Sequence, residues 1–253
     1  PVRDFVRDKM QQDFSGVTVT RDGTLLSEYR VRPHMAREYA ETVGLTASAG
    51  AGTWAAGLSF SAGLEAIMRA ALPVLFGSRY ATIAHAREAI TLHTPFPLDA
   101  DLTTTTKITK NLTRGDITFV DLSREVRNAS GNLVAEATTR LIIGVNFADS
   151  KPVIPVASVG ETILGHPVSA EVIDAFARAS GDDQALHMDP EAARAFGLKD
   201  RILHGMAMLV YAQAAAMKGG FLPRVSTSFR PFRIEVAFSN PAYLGDEIRY
   251  VRG

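Results

Sequence analysis

The chain has 253 residues, with 27 basic and 27 acidic side chains and no cysteine. This charge balance argues against a nucleic-acid-binding protein, which usually carries a strong basic excess. The lack of cysteine excludes disulfides, a thiolate nucleophile and a cysteine-based zinc site. No apolar run has transmembrane length, and the charged N-terminal residues do not resemble a signal peptide. A soluble protein located in the cytoplasm is therefore expected.

The first half of the chain predicts helices followed by an antiparallel meander. Before residue 84 the segments are, in order, a surface helix over 1–15, two strands within 17–31, a helix over 35–43, a Gly-rich loop over 47–57 and a helix over 61–72. Four β-rich segments separated by turn residues follow, over 84–93, 101–112, 117–127 and 133–145. Residues 146–160 have little periodicity, which is typical of a linker between a domain over 1–150 and a second over 151–253.

The second half predicts three helices in succession and then a strand. A short helical pattern ends before Gly181, and Asp189-Pro190 begins another short helix that Gly197 ends. A third helix, rich in alanine, runs from Ala207 to Met217. After it, the one predicted strand is the segment Tyr243 to Arg252, which is fewer strands than the first half has.

The two halves repeat one pattern. A shift of 146 positions places Thr94-Pro95 on Asn240-Pro241 and Leu102 on Ile248, and a shift of 137 upstream places Tyr39 on Phe176. The extra residues of the second half lie between Leu186 and Asp200. The chain therefore predicts two copies of an α+β unit in which an antiparallel sheet wraps a long helix. The small side chains of the second helix would let a sheet approach it closely.

Three residues of the second half are candidates for one reaction. Asp182 is followed five positions later by His187, and Gly205 lies at the start of the third helix. An acid and a histidine can move a proton and a water on a substrate. The N–H groups of a helix N-terminus can bind the carbonyl oxygen of that substrate.

This region resembles a known motif, that of the MaoC-like or hydratase-2 family of (R)-specific enoyl-thioester hydratases and 3-hydroxyacyl-thioester dehydratases. The matching residues are Phe176, Ser180, Gly181, Asp182, Leu186, His187, Asp189, Pro190, His204, Gly205 and Met206. Gln184-Ala185 stands where that family has Asn-Pro, and Arg201 stands where proline is usual. The resemblance implies a double hot-dog fold over nearly the whole chain.

The resemblance also implies the roles of the site residues. Asp182 and His187 would be the catalytic residues and would hold a water, and Gly205 would bind the thioester carbonyl. His204 would position its neighbours, and Gln184 would reach the site as the Asn of the family does. A turn residue, a buried imidazole and a solvent-facing amide are the structural alternatives for Asp182, His187 and Gln184, and Asp189 is expected to be a helix cap.

The first copy has Leu45 in the place of Asp182 and nothing in the place of His187. We therefore expect the first half to accommodate the acyl chain, with the charge-free segment from Ala47 to Leu58 beside it. The expected reaction is the reversible hydration of trans-2-enoyl thioesters to (3R)-hydroxyacyl thioesters in fatty-acid or polyketide metabolism. A non-catalytic acyl-thioester-binding module and a hot-dog thioesterase are the alternatives.

Coenzyme A or acyl carrier protein would be part of the substrate, and no other cofactor is expected. The six histidines show no metal-ligand spacing, so no metal is predicted. Basic side chains near the mouth of the site would meet the phosphates of the carrier. The candidates are Lys199, Arg201, Arg224, Arg230 and Arg233. A monomer already contains two units, and a homodimer is the alternative.

Overall fold

The computed structural model describes residues 18–19, 24–34, 37, 64, 83–145, 147–149, 160–221 and 229–252. The helix predicted over 1–15, the loop over 47–57, and nearly all of the helices over 35–43 and 61–72 and of the linker lie outside these residues. Within the described residues, no helix is long and apolar enough to cross a membrane.

The first half forms the predicted strands. They are β1 (Thr18–Val19), β2 (Leu25–Tyr29), β3 (Ile83–Leu92), β4 (Leu102–Arg114), β5 (Ile117–Asn128) and β6 (Leu133–Ile143). β1 and β2 correspond to the two strands expected within residues 17–31, and β3 to β6 correspond to the meander. A single 3₁₀ turn, Phe147–Asp149, follows β6.

The second half contains more strands than the sequence predicted. Its elements are β7 (Glu161–Pro167), α1 (Ala170–Ser180), α2 (Ala185–Met188), α3 (Pro190–Ala195), α4 (Gly205–Lys218), β8 (Phe232–Ala237) and β9 (Glu247–Arg252). The prediction of a single strand after α4 was wrong, because β8 precedes β9. Both faces of β8 remain partly accessible, so the strand lacks a buried apolar run that would mark it in the sequence. Its partner strand also lies far away in the chain, since Arg233 pairs with Thr91, 142 positions earlier.

Pairing between β8 and β3 joins the two halves. The larger sheet has seven strands in the order β1-β2-β4-β5-β6-β3-β8, and β7 and β9 form a second sheet. β8 runs antiparallel to β3 from the pair Arg87 and Ala237 to the pair Leu92 and Phe232. The junction is therefore a hydrogen-bonded ladder between a strand of the first copy and a strand of the second.

The strand register reproduces the internal repeat. Ala89 pairs with Glu235, and these positions are 146 residues apart (235 minus 89). Tyr29 pairs with Leu102 in the first half, and His166 pairs with Ile248 in the second. His166 lies 137 positions after Tyr29, and Ile248 lies 146 positions after Leu102, so the two pairs are equivalent under the two shifts. Both predicted shifts are confirmed, so corresponding strands of the two copies pair in the same way.

Helix α4 lies in the core of the second half. Its small side chains Ala207, Ala214 and Ala215 are buried, as are the larger Leu209 and Val210. This burial fits the expectation that alanines let strands approach the helix. Ile173 and Phe176 of α1 belong to the same apolar cluster, together with residues of the first half such as Leu92, Val126 and Ala137. One continuous core therefore spans both halves.

Candidate active site

Asp182 is presented by the C-terminal end of α1. The helix ends at Gly181, which has φ 86° and therefore adopts the left-handed conformation that glycine favours. The hydroxyl of Ser180 donates to the carbonyl of Phe176 at 2.7 Å and accepts from the N–H of Asp182 at 3.2 Å. This local turn, which the Ser180-Gly181-Asp182 sequence provides, turns the chain out of the helix at Asp182.

His187 lies in α2, and α3 follows at once. Asp189 caps α3 by accepting from the N–H of Glu191 at 2.8 Å, with Pro190 in the first turn. Gly197, with φ 83°, lies just beyond the end of α3. Asp189 is therefore a helix cap as predicted, and it does not line the cavity described below. The two short helices place His187 beside Asp182 although five positions separate them.

The tautomer of His187 and its distance from Asp182 define the chemistry of this pair. Nδ1 of His187 lies 2.9 Å from the carbonyl oxygen of Ile202. Because a carbonyl can only accept, Nδ1 carries the proton, and Nε2 of the neutral ring is an acceptor. Nε2 lies 4.0 Å from Oδ2 of Asp182, which is too long for a direct hydrogen bond. Two proton acceptors therefore face each other across a gap.

His204 packs against this pair. Its Nε2–H donates to the backbone carbonyl of Asp182 at 2.8 Å, and its ring stacks on that of His187 with centroids 3.8 Å apart and an interplanar angle of 23°. The ring of Phe176 also contacts the ring of His204, with centroids 4.8 Å apart. His204 thus contacts both the ring of His187 and the backbone that carries Asp182.

Burial keeps both imidazoles neutral. It lowers the pKa of His187 below the ordinary 6.5, and the nearby Asp182 carboxylate and the Ile202 carbonyl oppose this shift. The pKa of His204 lies well below 6.5, chiefly through burial and then through His187. Both pKa values are therefore below neutral pH, and His187 has its Nε2 lone pair available at pH 7.

Helix α4 begins at the site with Gly205 and has no side-chain cap. Gly205 and Met206 line the cavity. A Cβ built on Gly205 would meet the ring of Phe238 at 3.5 Å, which is ordinary van der Waals contact. The surrounding protein therefore does not require a glycine at this position. Both Gly205 and Phe238 line the cavity, and Gly205 lies at the positive end of the helix dipole.

A cavity of about 280 Å³ contains the site and has walls from both halves. The second half contributes Asp182, Gln184, Leu186, His187, Ile202, Leu203, Gly205, Met206, Met208 and residues 238–241. The first half contributes Leu64, Ile83, Ala84, His85, Ala86, Leu141, Ile142, Val145 and Phe147. The first-half wall is apolar except for His85. Gln184 lies at the cavity, so its position is that expected of the family Asn.

Several cavity residues were not found from the sequence. Residues 238–241 follow β8, which was itself missed, and the internal repeat that aligned Asn240-Pro241 with Thr94-Pro95 did not indicate a site. His85 lay in a predicted strand, but nothing in its surroundings indicated a site. The one available signal was a histidine three positions before a glutamate within a strand.

Three of the five basic residues predicted at the mouth of the site have other contacts. Arg201 donates to Asp174 at 3.0 Å, and Lys199 lies 4.0 Å from Asp246 and over the ring of Tyr243. Arg233 pairs with Glu235 on the exposed face of β8. None of these three lines the cavity, and Arg224 lies outside the described residues. Their expected role in binding phosphates therefore has no support in these contacts.

Asp182, His187 and His204 are also grouped as metal ligands would be, with one ligand atom of each within 4.8 Å of the others. The sequence had predicted no metal because no His spacing suggested one. The two imidazoles stack, however, whereas a metal binds in the ring plane about 2 Å from nitrogen. Two stacked rings with centroids 3.8 Å apart do not share a plane, so one ion could not lie in the plane of both at that distance from nitrogen.

Comparisons with known proteins agree with the motif. Residues 156–251 match the family model described as "MaoC like domain". A mitochondrial 3-hydroxyacyl-[acyl-carrier-protein] dehydratase of Arabidopsis thaliana is 36% identical over 84 residues, which are 32% of this chain and 45% of that protein. Peroxisomal multifunctional enzyme type 2 of Drosophila melanogaster is 26% identical over 67% of this chain and 29% of its own length. The chain thus spans less than half the length of either relative.

Solved structures share the fold. The protein HtdX of Mycobacterium tuberculosis superposes with a TM-score of 0.66 at 18% identity, over 88% of this chain and 85% of that one. Another M. tuberculosis protein, described as having a double hot-dog fold, gives a TM-score of 0.56 at 13% identity, over 87% and 79% of the two chains. The fold is therefore a double hot-dog, and the chain carries a domain of the MaoC-like family over residues 156–251.

Proposed function

We propose that the protein catalyses the reversible hydration of trans-2-enoyl thioesters to (3R)-hydroxyacyl thioesters. The observation that carries the proposal is the 4.0 Å gap between Nε2 of His187 and Oδ2 of Asp182, both of which are acceptors. A water that donates about 2.8 Å hydrogen bonds to two acceptors at its own bond angle spans roughly 4.4 Å between them. A water in this gap would donate one hydrogen bond to His187 and one to Asp182, and would direct a lone pair of its oxygen at the substrate.

In the hydration direction, the water oxygen bonds to C3 of the enoyl thioester and gives one proton to His187 or Asp182. The electron pair of the C2–C3 double bond moves toward the thioester carbonyl and produces an enolate. A proton delivered to C2 then completes the product, and dehydration follows the same steps in reverse. Positioned acid–base groups of this kind contribute roughly 10²- to 10⁴-fold to a rate.

The start of α4 is suited to stabilise the enolate oxygen. The N–H groups of the first helical turn have no intrahelical acceptor, and the helix dipole places positive potential there. Because Gly205 lacks a Cβ, the carbonyl of the thioester can approach the backbone. Donors fixed before the reaction are worth more than water at this step, since they need no reorganisation.

The acyl chain would lie against the first half, whose contribution to the cavity is largely apolar. Leu64, Ile83, Leu141 and Val145 are among the residues that would contact it. The charge-free segment from Ala47 to Leu58, also proposed for this role, lies outside the described residues. The coenzyme A or acyl-carrier-protein part of the substrate would remain outside the cavity, and the choice between the two stays open in this proposal.

We propose a metal-free mechanism, which the stacking of His187 on His204 supports, and the expectation that no redox cofactor takes part stays a prediction. The cytoplasmic location also stays a prediction. By their names, one relative is mitochondrial and the other peroxisomal. A monomer with two hot-dog units would suffice for activity, because both walls of the cavity belong to one chain, and a homodimer remains the alternative.

The test follows enoyl absorbance and free thiol together, with crotonyl-coenzyme A, a longer homologue and their carrier-protein forms. The hydratase should consume the double bond and release no thiol. Release of thiol would identify the thioesterase instead. A folded protein that binds the thioesters and changes neither signal would be the non-catalytic binding module.

Gly205→Ala separates a catalytic glycine from a packing glycine. We expect normal folding, because the added Cβ makes only ordinary contact with Phe238. We expect kcat/KM to fall at least tenfold, because the methyl group would displace the carbonyl from the helix N-terminus. Thermal unfolding and steady-state kinetics would be compared with those of the wild type. A melting temperature that falls while activity per folded molecule is unchanged would show that the glycine serves packing.

A further inference from the structure

A polar side chain that the proposed mechanism does not use lies in the cavity wall. His85, on β3, belongs to the first half and lines the same cavity as Asp182 and His187. It is the one polar side chain among the described residues that the first half contributes to this cavity. The ring of Phe238 lies 4.9 Å from the ring of His85 and is also the nearest neighbour of a Cβ built on Gly205. One aromatic ring therefore lies between His85 and the start of α4.

A β-bulge orients His85. In a regular strand, residues three apart face opposite sides of the sheet. The pairing of β3 with β6 changes register between His85 and Arg87, which adds one residue and brings His85 and Glu88 to the same face. Their side chains then meet, with Nε2 of His85 3.0 Å from Oε2 of Glu88. Bulges commonly re-aim side chains next to functional sites.

Glu88 is a fixed anchor for this ring. Its side chain is fully buried and paired with that of Arg124, which is buried as well. Thr139 donates at 2.7 Å to Oε2 of Glu88, the oxygen that also bonds to His85, while Arg124 bonds to Oε1. Burial opposes ionisation of Glu88, but Arg124, His85 and Thr139 together hold its pKa below the ordinary value. The anchor is therefore an ionised carboxylate, which only accepts hydrogen bonds.

This anchor leaves one nitrogen of His85 for a ligand. Because Glu88 accepts from Nε2–H, the neutral ring has its acceptor lone pair on Nδ1. No described residue is hydrogen-bonded to Nδ1. A ring that is held in place by a buried ionised network, and that offers an acceptor beside an apolar cavity, is suited to recognise a hydroxyl group.

We propose that His85 determines specificity for acyl thioesters that carry a hydroxyl group on the chain beyond the two reacting carbons. The inference rests on the proposed function in that the acyl chain must enter this cavity. The ligand hydroxyl donates to Nδ1 of His85, while the rest of the chain contacts the apolar wall. An unsubstituted chain leaves Nδ1 without a partner in a site that the chain has emptied of water, so it binds less well.

The test compares binding of saturated acyl-coenzyme A ligands, which cannot react at C2 and C3. The ligands are butyryl, hexanoyl and octanoyl thioesters and their hydroxylated forms, with the hydroxyl at C4 and at each carbon beyond it. Calorimetry on the wild type should show at least one hydroxylated ligand binding roughly tenfold tighter than its parent. His85→Phe should abolish this preference, and His85→Gln, which keeps a donor and an acceptor, should retain part of it.

The matched control is His93→Phe. His93 also pairs with a glutamate, Glu136, at 2.6 Å, but it is accessible to solvent and does not line the cavity. The preference should be unchanged in this variant. A wild type without preference in the whole series, or an equal preference in His85→Phe, would overturn the proposal.

Hydration of crotonyl-coenzyme A, measured on the same proteins, distinguishes the two hypotheses. This substrate has no hydroxyl, so its hydration by the wild type and by the His93→Phe control tests the proposed function without any contribution from a hydroxyl contact to His85. Hydration without any hydroxyl preference would overturn the specificity proposal and leave the proposed function standing. A hydroxyl preference without hydration would support the binding role of His85 and count against the hydratase.

Discussion

Replacing either member of the catalytic pair should abolish most of the activity. We expect Asp182→Asn and His187→Gln each to lower kcat/KM for enoyl thioesters by roughly 10²- to 10⁴-fold. Asn at position 182 would present a neutral amide to the water, and Gln at position 187 would lose the imidazole lone pair. In each variant, only one of the two side chains could still take a proton from the water. Initial rates of change in enoyl absorbance would measure the effect.

Asp189→Asn is the matched control for this experiment. Asp189 is close in sequence to both residues but caps α3 through the N–H of Glu191. Since asparagine is an equally good helix cap, stability and activity should both stay near the wild-type values. Full activity in Asp182→Asn, with a normal melting temperature in all three variants, would refute the proposed role of the pair.

Removing the charge of Glu88 should have the largest effect on stability. Glu88→Gln would leave the guanidinium of Arg124 buried without its carboxylate, and both side chains are inaccessible to solvent. Breaking a buried ion pair from one side costs about 3–5 kcal/mol of unfolding free energy. Urea denaturation of the whole chain would measure this loss.

Two further variants test the reason for that loss. Glu136→Gln removes the carboxylate of the exposed pair with His93, so it should change the unfolding free energy by less than about 1 kcal/mol. The double variant Glu88→Leu with Arg124→Met removes both buried charges and should be less destabilised than Glu88→Gln alone. A Glu88→Gln protein as stable as Glu136→Gln would show that the buried pair is not what stabilises this part of the sheet.

The parts of the site that depend on short-range signals could be predicted from the sequence. Asp189-Pro190 and Gly197 bound α3 because capping depends on residues within one turn. The repeat predicted strand equivalences that the register of β3 with β8 and of β7 with β9 confirms. The closeness of Asp182 and His187 followed from a motif with fixed spacing, since the four residues between them leave little freedom.

What the sequence did not reveal depends on distant contacts. β8 gains its hydrogen bonds from a strand of the other half, so its own alternation of charged and apolar residues gave a weak signal. The carbonyl of Ile202, which fixes the tautomer of His187, lies on a separate segment 15 positions away. His85 faces the cavity because a bulge interrupts the alternation of β3. A prediction that assumes strict alternation of side chains along a strand assigns residues beyond a bulge to the wrong face.

The ladder between β3 and β8 also limits how the protein can change over evolution. His85 and Phe238 lie at one end of this ladder, each beside the cavity. Substitutions along the two strands alter one side chain at a time. A single inserted or deleted residue would instead turn the following side chains to the opposite face and displace both cavity walls together. We therefore expect relatives with this site to vary in the composition of these strands and to preserve their length.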